Sequence, residues 1–205
     1  MRVISGTARA KKLDTVEKLD TRPTLDRVKE SLFNIIQFDV KDSNVLDLFA
    51  GSGSLGIEAL SRGAKLAVLN DNDIESIKII NQNLEATKLQ AKAVVINKDY
   101  TLALKKAAKD GYKFDIIFLD PPYKTNFAVN AVEEIINLDI LNSSGMIIVE
   151  TDSKTIKENL SENREIKIHD VRKYGRAMLI FIGKEWVTYG NFYAVRNFRG
   201  YVGEK

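Results

Sequence analysis

Cysteine is absent from the 205 residues, and histidine occurs once, at His169. Without cysteine there are no disulfides, thiolate zinc sites or iron–sulfur clusters, and no thiolate for covalent catalysis. One histidine leaves a Ser-His-Asp triad or a multi-histidine metal site with little to work with, so no metal is expected. His169 itself falls in a late strand-like stretch, outside every motif described below. No apolar run is long enough to span a bilayer. Met1–Gly6 lacks the apolar segment of a secretory signal, so a cytoplasmic location is the expectation and no membrane partner is foreseen. The remaining composition, 44% hydrophobic and 29% charged, is that of an ordinary soluble globular chain. Its length suits one domain with at most a small appendage. A net charge of +3 permits a nucleic-acid partner without demanding one.

The first dozen residues carry Arg2, Arg9, Lys11 and Lys12 with no acid among them, and Val3 and Ile4 as an apolar anchor. They read as an extended or hairpin arm, and unbalanced cations are the footprint of phosphate binding. After Pro23, with Thr24 or Asp26 as cap, Val28, Leu32, Ile35 and Ile36 recur at helical spacing. Arg22, Arg27 and Lys29 lie near the start of that helix, where cations oppose its dipole. An external anion or a carboxylate should compensate them.

From Asn44 onward strands and helices alternate. Strands are expected at 45–49, 66–70, 91–96, 114–119 and 146–150, with helices at 54–62, 74–87, 100–110 and 126–137. This pattern predicts a mostly parallel, Rossmann-like sheet covered on both faces. Two more strands, at 165–171 and 177–182, are joined too tightly for a crossover helix, so they should be antiparallel. That makes seven strands. The tail from Trp186 interleaves aromatic rings with Arg196 and Arg199, a composition that suits base stacking or a packed hairpin equally. The chain therefore divides into a basic arm and helix over 1–43, an α/β domain over 44–183 and an extension over 184–205.

Two motifs carry chemistry. The first is Asp47-Leu48-Phe49-Ala50-Gly51-Ser52-Gly53, running on to Gly56, at the end of the first strand. Its glycines let backbone approach a ligand, and with Asp71 after the second strand the pattern fits a dinucleotide fold as well as an S-adenosylmethionine site. Asp47 separates the two: a carboxylate near the loop would repel a pyrophosphate but suits the net cation of S-adenosylmethionine. Asp71 can accept both ribose hydroxyls. Asp99 stands where it could accept from the adenine amino group, beside Tyr100. Phe49, Ser52 and Asn72 complete the candidate cofactor set. Each acid could equally cap a helix. Three acids at successive strand ends, together with the glycines, favour a cofactor.

The second motif is Asp120-Pro121-Pro122-Tyr123, where the fourth strand ends. Ligands in open α/β sheets bind at such ends. With the glycine loop, it resembles the class I methyltransferases that modify exocyclic amino groups. Arg2-Val-Ile-Ser-Gly6, Arg22-Pro-Thr-Leu-Asp-Arg27, Glu30-Ser-Leu-Phe33 and Lys173-Tyr-Gly175 are similar to the bacterial 16S ribosomal RNA guanine-N2-methyltransferases of the RsmD type, over roughly residues 1–182. Three departures stand out: Asn70 replaces an apolar residue, Ala8-Arg9-Ala10 lacks a usual glycine, and the tail is long. The resemblance implies methyl transfer from S-adenosylmethionine to N2 of a guanine in 16S ribosomal RNA or an assembling 30S subunit, by a monomer. Asp120 and the Pro121 carbonyl would accept the amino hydrogens, Pro122 would stiffen the loop and Tyr123 would stack on the base. Arg2, Arg9, Lys11, Lys12, Arg22 and Arg27 would hold phosphates. A DNA adenine-N6 methyltransferase and a non-catalytic RNA-binding or ribosome-assembly protein are the alternatives.

Overall fold

In a computed structural model the described residues are 1–15, 23–122, 126–153, 155–161 and 165–184. The arm is a hairpin: Arg2 and Lys12 form an antiparallel bridge, with Val3 N donating to Lys11 O at 2.9 Å and Leu13 N to Met1 O at 3.0 Å. Helix α1 (Pro23–Ile35) follows, then β1 (Asn44–Asp47), α2 (Ser54–Ser61), β2 (Leu66–Asp71), α3 (Ile74–Thr87) and β3 (Ala93–Asn97). Beyond these come α4 (Tyr100–Lys109), β4 (Phe114–Leu119), α5 (Phe127–Asn137), β5 (Leu141–Thr151), α6 (Thr155–Ser161), β6 (Ile166–Tyr174) and β7 (Ala177–Lys184). No helix among the described residues is long and apolar enough to cross a membrane.

The seven strands form one sheet in the order β3-β2-β1-β4-β5-β7-β6, with β7 antiparallel to both of its neighbours. The expected seven-stranded, mostly parallel sheet is therefore present. Differences from expectation have local causes. Residues 90–92 form a 3₁₀ turn, so β3 begins later than expected. Strand β5 begins at Leu141, because its polar lead-in Asn142-Ser143-Ser144 continues the strand past a register shift opposite Phe114. Helix α6 went unread because only Ile156 and Leu160 mark its buried face.

Alternation along the strands splits the core into two layers. Val45, Leu69, Ile116, Phe118 and Ile148 face α2, α3, α1 and the arm, whereas Leu46, Val68, Ile117 and Val149 face α4, α5 and α6. Val3 and Leu13 of the arm are in the first layer, each almost fully buried. Together those two side chains contribute roughly 3–6 kcal/mol of apolar burial, which docks the arm on the domain.

Polar bonds fix how it docks. The carboxylate of Glu58 on α2, fully buried, accepts from Ile4 N at 2.7 Å, Ser5 N at 3.0 Å and Arg62 Nε at 2.7 Å. Lys29 Nζ lies 3.8 Å from the same carboxylate and donates to Arg2 O at 2.7 Å. Lys29 is thus compensated by a carboxylate, as its place on α1 required. Ala10 adopts φ 68, a left-handed conformation that strains a side chain. The missing glycine of this turn is therefore a departure with a conformational cost.

Candidate active site

The strand order reverses between β1 and β4. From β1 the chain winds outward through β2 to β3; it then returns across β1 to β4 and continues the other way. Loops leaving the carboxyl ends of β1 and β4 therefore diverge and open a crevice between them, the usual ligand position in such sheets. Both motifs lie there: Asp47 pairs with Phe118 in the ladder, two residues before Asp120.

The loop after β1 is tied at several points. Gly51 and Gly53 take φ 55 and 77, conformations that favour glycine. Ala50 N donates to Asn70 O at 2.8 Å, Gly51 N to Asp71 Oδ2 at 2.8 Å and Gly53 N to Ala50 O at 2.7 Å. A Cβ on Gly53 would lie 3.0 Å from Leu69 Cδ2 and 3.3 Å from Ile57 and Ile80. Backbone is thus pressed onto the sheet, and the loop is shaped before any ligand arrives. Ser52 is buried and Phe49 half-buried.

The acids divide by role. Asp47 is 2% exposed and its Oδ2 accepts from Gly56 N at 2.9 Å, so it braces the loop from behind. Burial pushes its carboxyl up to about 7 against the opposing Gly56 bond, with Asp71 adding to the rise. Asp71 is half-buried; beyond its bond from Gly51 it accepts from Asp73 N through Oδ1 at 2.9 Å. Asn72 is exposed beside it. Asp99 is exposed and caps α4, with Oδ1 accepting from Thr101 N at 2.9 Å and Thr101 Oγ1 at 2.6 Å. The Thr101 hydroxyl bond leads the causes that hold it below the usual carboxylate range. Asp71 and Asp99 therefore do serve as turn and helix caps, each still having lone pairs for a ligand.

Tyr100 lies between two rings, 5.5 Å from Phe49 and 5.3 Å from Phe127 at the start of α5. Phe127 is absent from the residues singled out in the sequence. Nothing in its spacing separated it from an ordinary first-turn residue of a helix.

Glu150 is the larger omission. The ladder pairs Leu119 with Val149, so Asp120 and Glu150 emerge side by side where β4 and β5 end. By strand alternation both point to the face of Phe118 and Ile148, as Asp47 does. Asp120 is exposed, although protein atoms gather around its carboxyl. Desolvation, then Glu150, then Asp47 raise its carboxyl well above the usual range, and desolvation raises Glu150 as well. An acid ending the fifth strand was visible in the sequence as a fifth member of the strand-end series, after Asp47, Asp71, Asp99 and Asp120. Pro121 is buried and Pro122 exposed. Tyr123 and Arg22 lie outside the described residues, as does the extension from residue 185.

Arg2, Arg9, Lys11, Lys12 and Arg27 are all exposed. His169 is on β6, at the edge of the sheet three strands from β4. Among the described residues no group of three or more His, Cys, Asp or Glu is arranged to hold a metal ion.

A family described as Conserved hypothetical protein 95 matches residues 1–183. The chain belongs to that family. It is the one that the RsmD-type motifs of the arm and of α1 resemble. A Bacillus subtilis relative named "Putative rRNA methyltransferase YlbH" is 43% identical over 152 residues, spanning 74% of this chain and 83% of that one. "Ribosomal RNA small subunit methyltransferase D" of Escherichia coli K12 is 37% identical over 173 residues, spanning 80% and 83%. The solved structure of "Putative methyltransferase yhhF" from Escherichia coli superposes with a TM-score of 0.77 at 31% identity, covering 90% of this chain and 98% of that one. The fold is that of the class I methyltransferases.

Proposed function

We propose that this protein transfers a methyl group from S-adenosylmethionine to the exocyclic N2 of a guanine in 16S ribosomal RNA. The observation that carries the reading is the meeting of the glycine loop with Asp120 at one topological switch point. The residues present fit the cofactor. The glycine loop is held in shape by Asp71, Asn83 and the sheet before any ligand arrives, and the neighbouring carboxyls of Asp47 and Asp120, raised because desolvation disfavours their charged forms, would gain a compensating cation. When bound, S-adenosylmethionine supplies an electrophilic methyl on a sulfonium.

In this reading Asp71 takes the ribose hydroxyls and Asp99 the adenine amino group, with Asn72 and Ser52 lining the site. Phe49 and Tyr100 pack near the adenine. Asp120 and the Pro121 carbonyl accept the two hydrogens of the guanine amino group. That orients the nitrogen lone pair and favours its pyramidal form, because the amine is otherwise delocalised into the ring. Positioning is the main resource. The nitrogen held by Asp120 and Pro121 would receive the methyl, the S–C electron pair being kept on sulfur, and would shed one of its protons to the site. Ionised Asp120, or Glu150 beside it, can take that proton. Pro121 and Pro122 limit the freedom of the loop, and Tyr123 stacks on a base taken out of the RNA stack.

The arm and α1 supply phosphate contacts through Arg2, Arg9, Lys11, Lys12, Arg22 and Arg27. Arg2 and Lys12 are bridge partners, and like charges directly opposite are unfavourable until an anion joins them. The substrate would be free 16S ribosomal RNA or the assembling 30S subunit, met by a cytoplasmic monomer. The 184–205 extension is assigned no role.

The test is incubation with methyl-labelled S-adenosylmethionine and, separately, 16S ribosomal RNA, 30S particles and DNA. Label recovered as N2-methylguanine in RNA is expected. Label in DNA alone would favour adenine-N6 chemistry, and no label in any substrate would favour a non-catalytic binding protein.

A further inference from the structure

Asn83, in the third turn of α3, is neither at a strand end nor in a motif, yet its side chain is 1% exposed and fully engaged. Its Oδ1 accepts from Asp14 N at 2.8 Å, and its Nδ2 donates to Asp14 O at 3.0 Å and to Ser52 O at 2.9 Å. The orientation of the amide is unambiguous, since a flip would set its oxygen against two carbonyls and its NH₂ against an N–H. One buried side chain therefore grips both backbone groups of residue 14 at the end of the arm and the one carbonyl between Gly51 and Gly53.

We infer that Asn83 is a positioning residue that couples the arm to the glycine loop, so that RNA held by the arm tightens cofactor binding. The inference rests on the proposed role of the arm in binding RNA. Ser52 sits between two residues of positive φ, where a peptide plane turns easily. The Ser52–Gly53 peptide is held at both ends, by Asn83 at its carbonyl and by Ala50 O at its N–H. On the other side, Asp14 is two residues beyond Lys12 and next to buried Leu13. A pull on the exposed cations of the hairpin therefore reaches Asn83 through a very short stretch of backbone. Breaking either half of the grip would leave buried amide groups unpaired, which makes the link stiff. Because coupling between two sites is reciprocal, cofactor would tighten RNA binding by the same factor.

The experiment measures the Kd of S-adenosylhomocysteine with and without a saturating 16S ribosomal RNA fragment. Wild type is compared with Asn83→Leu, and with Asp14→Pro, which removes the N–H on the arm side together with the exposed carboxylate, Asp14→Ala serving as the control for loss of the carboxylate alone. Thermal melts identify variants folded at the assay temperature. In wild type, RNA should lower the Kd by about fivefold or more. In either folded variant that ratio should fall to about one, while RNA alone still binds; a purely structural role would shift the melt and leave the ratio intact. Wild-type coupling retained in both variants, or no coupling in wild type, overturns the inference. The underlying reading is tested separately by Arg9→Gln, Lys11→Gln and Lys12→Gln combined. Unaltered RNA affinity in that triple variant would overturn the arm's role in binding RNA, and the coupling with it.

Discussion

Gly56 donates its backbone N–H to Asp47 Oδ2 at 2.9 Å, and a Cβ on that glycine would lie 2.8 Å from Leu69 Cδ2. The carboxyl that braces the cofactor loop is thus sealed between a strand and the first turn of a helix. It is also held near the point of protonation, up to about 7 against 3.8 for the ordinary group. As the pH rises from about 4 to 7 the unfolded chain ionises first, so this group's contribution to stability is lost across that window. A net-cationic ligand favours the ionised form and should expel a proton on binding. Calorimetric titration with S-adenosylmethionine at about pH 6.5, in two buffers of different ionisation enthalpy, should give different heats. Identical heats would count against the linkage.

Asp120→Ala should lower turnover on the order of 10²-fold or more, the usual scale for losing an aligned hydrogen-bonding group at a reacting centre. Binding of S-adenosylhomocysteine should persist. Normal turnover in that variant would remove Asp120 from the mechanism.

Glycine at position 6 is imposed by the docking of the arm. Gly6 has φ 85, and a Cβ there would lie 1.8 Å from the Ser61 carbonyl oxygen. That oxygen accepts from Thr7 N at 2.8 Å, so it cannot move away without breaking the dock. Gly6→Ala should therefore cost about 2 kcal/mol or more, read as a lower denaturant midpoint. An unchanged midpoint would mean that the arm contributes nothing to stability.

At Ala10 the sign reverses. With φ 68 the alanine pays a left-handed strain that glycine lacks. Ala10→Gly should stabilise the protein by about 0.5–1 kcal/mol, the strain relief less the entropy of a freer unfolded chain. Chemical denaturation measures it directly.

Neutralising Arg2 and Lys12 together should weaken RNA binding and reduce the slope of log K against log salt by about one for each lost phosphate contact. The pair is exposed and cross-bridged, so its removal should leave the melting temperature nearly unchanged or raise it slightly. A salt slope equal to that of wild type would place the RNA elsewhere.

Asp71, Asp99 and Asp120 were legible in the sequence because each lies at or just past the end of a strand marked by its apolar run. Glu150, next to last in β5, obeys nearly the same rule. It was passed over because no glycine or proline draws attention to it, and only the pairing of β4 with β5 sets it beside Asp120. Asn70 was visible as a departure, but its use was not. Its Nδ2 donates to Leu48 O at 3.0 Å and Lys98 O at 3.1 Å, bracing three strand ends together. Those acceptors lie 22 and 28 residues away in the chain. The buried pair of Lys29 and Glu58 escaped notice for the same reason.

Periodicity and spacing determined the alternation of strands and helices, the antiparallel last pair and the two motifs, because these depend on residues close together in the chain. Which faces meet was a different matter. Asp47, Asp120 and Glu150 converge because β4 became the neighbour of both β1 and β5 with their pleats in register, and Asn83 joins the arm to the glycine loop because its side chain on α3 reaches both. Such contacts span tens of residues, where no local pattern records the partner. Only the packing of the sheet and its helices selected them.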